Sequence, residues 1–262
     1  MANVSVERRG RVAVVTFDRG DRSNALSNAL MRELTEVARS FEDDLEISAI
    51  VLAGRPDVFS LGFDLRDGEI ASIAGAGLAE RRRAVRAGPR MCAAWEALDA
   101  ITIVAIEGYC VGGGAALAVS CDLRVMGDGA MMYVPEVERG MNMSWGSVPR
   151  FVNLIGPSRT KTLVALAAKV GAAQAVQWGL ADEMAPRGEA LARALAIAEH
   201  AASLPPTALR MIKRDIDVAA KALNHAVSFM DSDQLALAQS SEDCRESVTA
   251  FFEKRAPRFT GR

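Results

Sequence analysis

Three short stretches of the chain, 11–18, 47–53 and 101–107, are apolar on both faces rather than on alternate residues. In the first, Val12, Val14 and Thr16 alternate with Ala13, Val15 and Phe17, the pattern of a strand covered on both sides. Residues 3–7 read as a strand joined to it by a tight Arg9-Gly10 turn, and the stretch 47–53 ends at Gly54. A different period begins at Ser27. Leu30, Leu34, Val37, Ala38 and Phe41 share one face of a helix that Ser27 can cap. A loop follows from Arg55 to Gly68, then a helical stretch over 78–98, interrupted near Gly88-Pro89. Beyond 101–107, Gly112-Gly113-Gly114 lead into a helix over 115–120, a strand over 122–126 and a short strand at 131–134. From Ser147 onward the pattern is helical, with a brief strand near 180–184 and helices over 188–203, 206–220, 224–240 and 242–254. Strands with intervening helices, then a helical tail, predict an α/β fold with parallel strands covered by helices. Pro186, Arg187 and Gly188 mark a joint between a strand-rich part, 1–185, and a helical part, 186–262.

Composition narrows the function. The chain has 262 residues, 50% hydrophobic and 24% charged, enough for a sizeable core. A net charge of -2 gives a polyanion nothing to hold, so no nucleic-acid partner is expected. The run Arg81-Arg82-Arg83 with Arg86 and Arg90 reads as a solvated helix face or as a local site for an anion such as a phosphate. Cys92, Cys110, Cys121 and Cys244 form no CxxC pair, and two histidines are too few for a zinc site. They read as reduced thiols of a cytoplasmic protein. The first residues lack the apolar core of a signal peptide. The longest candidate membrane span, Ile101 to Val119, is broken by Glu107 and four glycines, so no membrane partner is expected.

Two transitions carry the candidate chemistry. Phe59 to Leu65 follows one buried strand; Glu107 to Gly114 follows another and opens a helix. Glycines there let the backbone turn sharply and bring N–H groups against a ligand. The helix N-terminus adds unpaired donors and the positive end of its dipole. Two such donors converging on one oxygen make an oxyanion hole. Taken alone, three glycines before a helix read first as a tight, closely packed turn.

The order of the segments adds more. Asn24-Ala25-Leu26-Ser27 precedes the first helix. Phe59 to Leu65 reads F-x-x-G-x-D-L, and Ile106 to Gly114 runs from a strand into the triple-glycine turn. Cys121-Asp122-Leu123-Arg124 reads C-D-x-R, and Pro135-Glu136 with Gly140 reads P-E-x-x-x-G. Ala175 to Asp182 and the tail from Ala250 to Phe259 complete the series. Together these resemble the signature of the enoyl-CoA hydratase/isomerase (crotonase) superfamily over nearly the whole chain. The resemblance implies a spiral of ββα units with a helical C-terminal region, assembled as a homotrimer or dimer of trimers. It implies a CoA-thioester substrate, with coenzyme A as part of the substrate and no other cofactor. It places an oxyanion hole on the backbone N–H groups of Phe63 and Gly113 and the proton-transfer group on Glu136. Residues expected to touch substrate are Leu61, Asp64, Gly112, Ser144, Trp145, Phe251 and Lys254. The backbone around Leu61 is expected beside the adenine end of CoA, and Phe251 and Lys254 reach a neighbouring subunit's CoA.

One position departs from the pattern. Hydratases of this superfamily use two glutamates, and the first of them falls on Ala116, which can neither accept a proton nor orient water. A single base, Glu136, suffices to take a proton from one carbon of an enoyl chain and return it two carbons away. Double-bond isomerisation is therefore the expected reaction. The alternatives are a hydratase in which Ser144 replaces the missing glutamate, and a non-catalytic acyl-CoA-binding subunit. Ser144 and Asn142 either orient substrate or satisfy a loop backbone. Tyr109 and Tyr133 are expected to be buried structural tyrosines, and His200 and His225 to lie away from the chemistry. Asp64 and Asp122 are expected to fix loops.

Overall fold

The computed structural model describes residues 3–67 and 77–262. In chain order its elements begin with β1 (Val4–Arg9), β2 (Val12–Phe17), α1 (Asn28–Arg39) and β3 (Ala49–Ala53). Then come α2 (Leu78–Ala84), α3 (Ala87–Glu96), β4 (Ile101–Ile106), β5 (Tyr109–Val111) and α4 (Gly113–Ala118). Next are β6 (Leu123–Gly127), β7 (Met131–Tyr133), a single 3-10 turn at Glu136–Arg139, and α5 (Ser147–Thr160), kinked at Gly156. The rest is β8 (Val170–Gly171), α6 (Ala172–Trp178), β9 (Glu183–Ala185), α7 (Ala190–Ser203), α8 (Pro206–Lys221), α9 (Asn224–Ser228), α10 (Asp231–Gln239) and α11 (Glu242–Glu253).

The large sheet runs β1-β2-β3-β4-β6-β9, parallel after the β1–β2 hairpin. Beside it, β5-β7-β8 form a small sheet. Single parallel bridges, Ser60 to Cys110 and Leu26 to Phe63, extend this inner layer back to the first loop. Each turn of the chain therefore lays one strand in the large sheet and one in the inner layer, then a helix: β4-β5-α4, then β6-β7 and α5. This is the expected ββα spiral.

The two-faced strands have a simple cause. Ala13, Val15, Phe17, Ile50, Leu52, Val104 and Ile106 face the main core under α1, α3 and α4. Val12, Val51, Ala53, Ile103, Ala105 and Val125 face the other way, against α7. That helix presents Ala190, Ala194, Ala198 and Ala201, small enough to sit close on the sheet. The composition change at residue 186 thus does not detach the helical part, since α7 covers the sheet. Farther on, Lys213 of α8 is buried and donates to the Ala100 carbonyl at 2.8 Å and to Asp122 at 2.7 Å. Asp122 also accepts from the Thr102 amide, the loop-fixing role its position suggests.

Some expected boundaries differ. The 78–98 helix breaks at Val85–Arg86, and Gly88-Pro89 lies inside the first turn of α3, where a proline's missing N–H has no intrahelical acceptor to lose. The expected helix 224–240 breaks before Asp231, whose carboxylate accepts from the Gly146 amide at 2.8 Å. β5 and β8, of three and two residues, are too short to leave a pattern. Arg82 of the basic run forms a two-point pair with Asp233 of α10 rather than waiting for an anion; Gly68 and the side chain of Arg81 lie outside the described residues. Among the described residues, no helix is long and apolar enough to cross a membrane.

Candidate active site

The site begins with two backbone constraints on Phe63. The Leu26 amide donates to the Gly62 carbonyl at 2.7 Å, and the Asp64 amide donates to Leu26 at 3.1 Å. These bonds bracket Phe63 and leave its own N–H without a backbone acceptor among the described residues. Gly62 has φ +89°, and a Cβ there would stand 2.7 Å from the Val111 carbonyl and 3.3 Å from the Gly113 nitrogen. Only glycine lets this loop close on the opposite turn. There, Gly113 is the first residue of α4, so its N–H has no intrahelical acceptor either. A Cβ on Gly113 would stand 3.4 Å from the Phe63 nitrogen. Two backbone donors without an acceptor among the described residues therefore lie close together, and both residues line one cavity of about 300 Å³.

Glu136 opens the 3-10 turn that closes on Gly140, and it lines the same cavity. Although the residue as a whole is half-buried, its Oε2 is fully buried and has no hydrogen-bond partner among the described residues. Burial pushes its carboxyl up to about 7, against the opposing pull of its own backbone N–H and of Arg139. A Cβ on Gly112 would overlap Glu136 Oε1, so glycine at 112 leaves the carboxylate its place. The turn is held from behind: Ser247 of α11 donates to the Glu138 carbonyl, and a Cβ on Gly140 would stand 2.8 Å from the Cys244 backbone.

Trp145 supplies the apolar wall. It has φ +61°, costly for a bulky side chain, and is held there by Arg150, which donates to its carbonyl at 2.8 Å. Arg150 in turn pairs with Glu96 at 2.7 and 2.8 Å. The indole lies where side chains at Gly88 and Gly113 would be, and it meets the Phe63 ring edge-on at 6.3 Å between centroids. Ser144 is buried on the same wall.

The structure thus brings together Phe63, Gly113, Glu136, Ser144 and Trp145, with Gly112 behind the carboxylate. It does not bring in every expected residue. The Leu61 amide donates to the Ser23 carbonyl at 2.9 Å, and Leu61 is not among the residues lining the cavity. Asp64 turns to Arg19 at 2.7 Å and accepts from the Arg66 amide, so it fixes the loop rather than lining the cavity. Phe251 packs on Arg139, 4.2 Å from guanidinium to ring, at the rim. Lys254 is exposed at the left-handed end of α11, outside the cavity. Tyr109, expected to be buried, is half exposed, whereas Tyr133 donates to Glu138. Ala116 is fully buried in the core. Asn142, weighed from the sequence as a substrate-orienting or loop residue, lines the cavity; residues not foreseen include Asn28 and Met31 from α1 and Leu235 and Gln239 from α10. Asn28, one residue past the Ser27 cap, carries no motif; only its polarity on a buried helix start hints at a role. Among the described residues, no three His, Cys, Asp or Glu side chains gather as a metal site would require.

Known proteins bear on the same arrangement. The family model described as enoyl-CoA hydratase/isomerase matches residues 7–262. A probable enoyl-CoA hydratase of Mycobacterium tuberculosis is 31% identical over 99% of this chain and 98% of its own. The 2,3-dehydroadipyl-CoA hydratase of Escherichia coli is 30% identical over the whole of both chains. Among solved structures, an enoyl-CoA hydratase/isomerase of Pseudoalteromonas atlantica superposes with a TM-score of 0.88 at 27% identity, covering 99% of this chain and 100% of that one.

Proposed function

Because the chain belongs to the enoyl-CoA hydratase/isomerase family, we propose that it is the isomerase kind of enzyme, shifting the double bond of an enoyl-CoA thioester through one buried carboxylate. The observation that carries this reading is that Glu136 is the only carboxylate lining the cavity among the described residues. The thioester oxygen of a 3-enoyl-CoA accepts from the Phe63 and Gly113 amides. Glu136 takes a proton from C2; the C2–H electron pair flows into the thioester, leaving a dienolate whose oxygen the two amides hold. The same carboxyl returns the proton at C4, the C3–C4 double bond becomes C2–C3, and no water is consumed. A base near neutrality suits such a weak carbon acid, and dry apolar walls strengthen the oxyanion contacts. Coenzyme A enters only as part of the substrate.

Hydration is the second reading, favoured by the names of the relatives. Ser144 is then the group that holds water in place of the carboxylate missing at Ala116. The assembly belongs to the same proposal. Helices α8 to α10 leave Met211, Ile212, Ile216, Leu223 and Phe229 more than half exposed, an apolar surface suited to further copies of the chain in a trimer or dimer of trimers. The setting proposed for it is the cytoplasm. The test is a panel of trans-2-, trans-3- and cis-3-enoyl-CoA thioesters. Products are followed by mass for added water and by absorbance for the conjugated 2-enoyl thioester. Isomerisation without mass gain is expected; rapid mass gain with no movement of the double bond contradicts the reading.

A further inference from the structure

The cavity is not the plain hydrocarbon slot that an unsubstituted acyl chain needs. Its walls are largely apolar, with Met31, Leu65, Val85 and Leu235 among them. Into these walls the chain sets three carboxamides: Asn28 at the start of α1 and Asn142 just past the Glu136 turn, both shielded from solvent, and Gln239 of α10, which is exposed. Asn142 Oδ1 is fully buried and has no hydrogen-bond partner among the described residues. Asn28 is 4% exposed; its backbone N–H donates to Asp67, but its carboxamide bonds to no other described residue. A saturated acyl chain that filled this space and expelled water would leave both amides unpaired, which is strongly unfavourable. An oxygen on the chain would pair them instead.

We propose that the acyl group taken by this cavity carries a neutral hydrogen-bonding oxygen, a hydroxyl or a ketone, which Asn28 and Asn142 read; this rests on the enoyl-CoA reading of the same site. A carboxamide both donates and accepts: its nitrogen can donate to a hydroxyl or a ketone, but the buried Asn142 Oδ1 is paired only by a hydroxyl, which donates to it. A carboxylate fits less well. Glu136 shares the cavity, and Arg139, the one cation lining it among the described residues, is stacked on Phe251 at its rim. Such a site rejects the analogue without the oxygen because its own polar groups are then stranded.

The test compares 3-enoyl-CoA thioesters of equal length: plain, hydroxylated and oxo-substituted, with the oxygen placed at successive carbons beyond the double bond. kcat/KM is measured for wild type, Asn142→Leu and Asn28→Leu. Wild type is expected to prefer at least one oxygenated thioester by about tenfold or more, and each leucine variant to shrink that preference while improving on the plain chain. The hydroxyl and oxo arms identify which oxygen is read. Equal or better handling of the plain thioester by wild type overturns the inference and leaves the double-bond reaction intact, and it does so even where a variant fails to fold. A preference unchanged in both folded variants also overturns it. If no thioester in the panel is bound, the enoyl-CoA reading falls with it.

Discussion

Glu136 derives its properties from where its carboxyl is rather than from any partner. Burial pushes it up to about 7, and no donor among the described residues pins Oε2. If the ionised carboxylate is the base, kcat/KM for a 3-enoyl-CoA rises with pH and levels off above about 7. A flat profile from pH 5 to 9 would remove Glu136 from the chemistry. The same shift acts on stability. A carboxyl whose affinity for its proton is higher folded than unfolded contributes stability that is fully present below its ordinary value of 4.5 and is lost as pH rises through about 7. Glu136→Gln has nothing to titrate, so it is expected to gain on wild type by up to about 3 kcal/mol between pH 5 and pH 8. Urea unfolding at the two pH values checks this; parallel behaviour of the two proteins would mean that the carboxyl is not buried as described.

At the level of elements, the site depends on close approach. Trp145 rests on α3 at Gly88, where a methyl would overlap the indole. Gly88→Ala is expected to cost about 1–3 kcal/mol through overpacking, despite alanine's better helix propensity. Trp145→Leu should relieve it, so the double variant costs less than the two singles summed. A stabilising Gly88→Ala would show that the indole lies elsewhere. The same contacts explain what the sequence makes legible. The strands 11–18, 47–53 and 101–107 announce themselves because both faces are covered. The Ser27 cap is realised, with Leu30 donating to its hydroxyl at 3.2 Å. The pairing of Phe63 with Gly113 follows from two glycine turns in a familiar order. The places of Asn28 and Leu235 follow from no local pattern, because α1 and α10 converge only through the tertiary fold. Asp64, expected both to touch substrate and to fix its loop, fixes the loop, through a partner, Arg19, that lies far upstream in the chain.

Across the whole molecule, the active cavity is closed by the chain's last helices. Leu235 of α10 lines it, and α11 braces the turn that carries Glu136. Elsewhere in the helical part, α8 leaves apolar side chains in solvent: Ile212 and Ile216 are 59% and 60% exposed. Ile212→Glu with Ile216→Glu is expected to reduce the solution mass from an oligomer to a monomer, read by light scattering. A wild-type mass of 27.9 kDa would remove the proposed assembly.

The proposed chemistry turns on one carboxyl moving one proton, and the most direct measurement of that is the single-turnover conversion of a trans-3-enoyl-CoA to its 2-enoyl isomer by wild type and by Glu136→Gln. The variant keeps the shape of the cavity and both amides of the proposed oxyanion hole. Its chemical step is expected to fall by about 10²–10⁴-fold while the thioester still binds. Conversion by Glu136→Gln at the wild-type rate, or a wild type that adds water and leaves the 3-enoyl thioester unshifted, would contradict it.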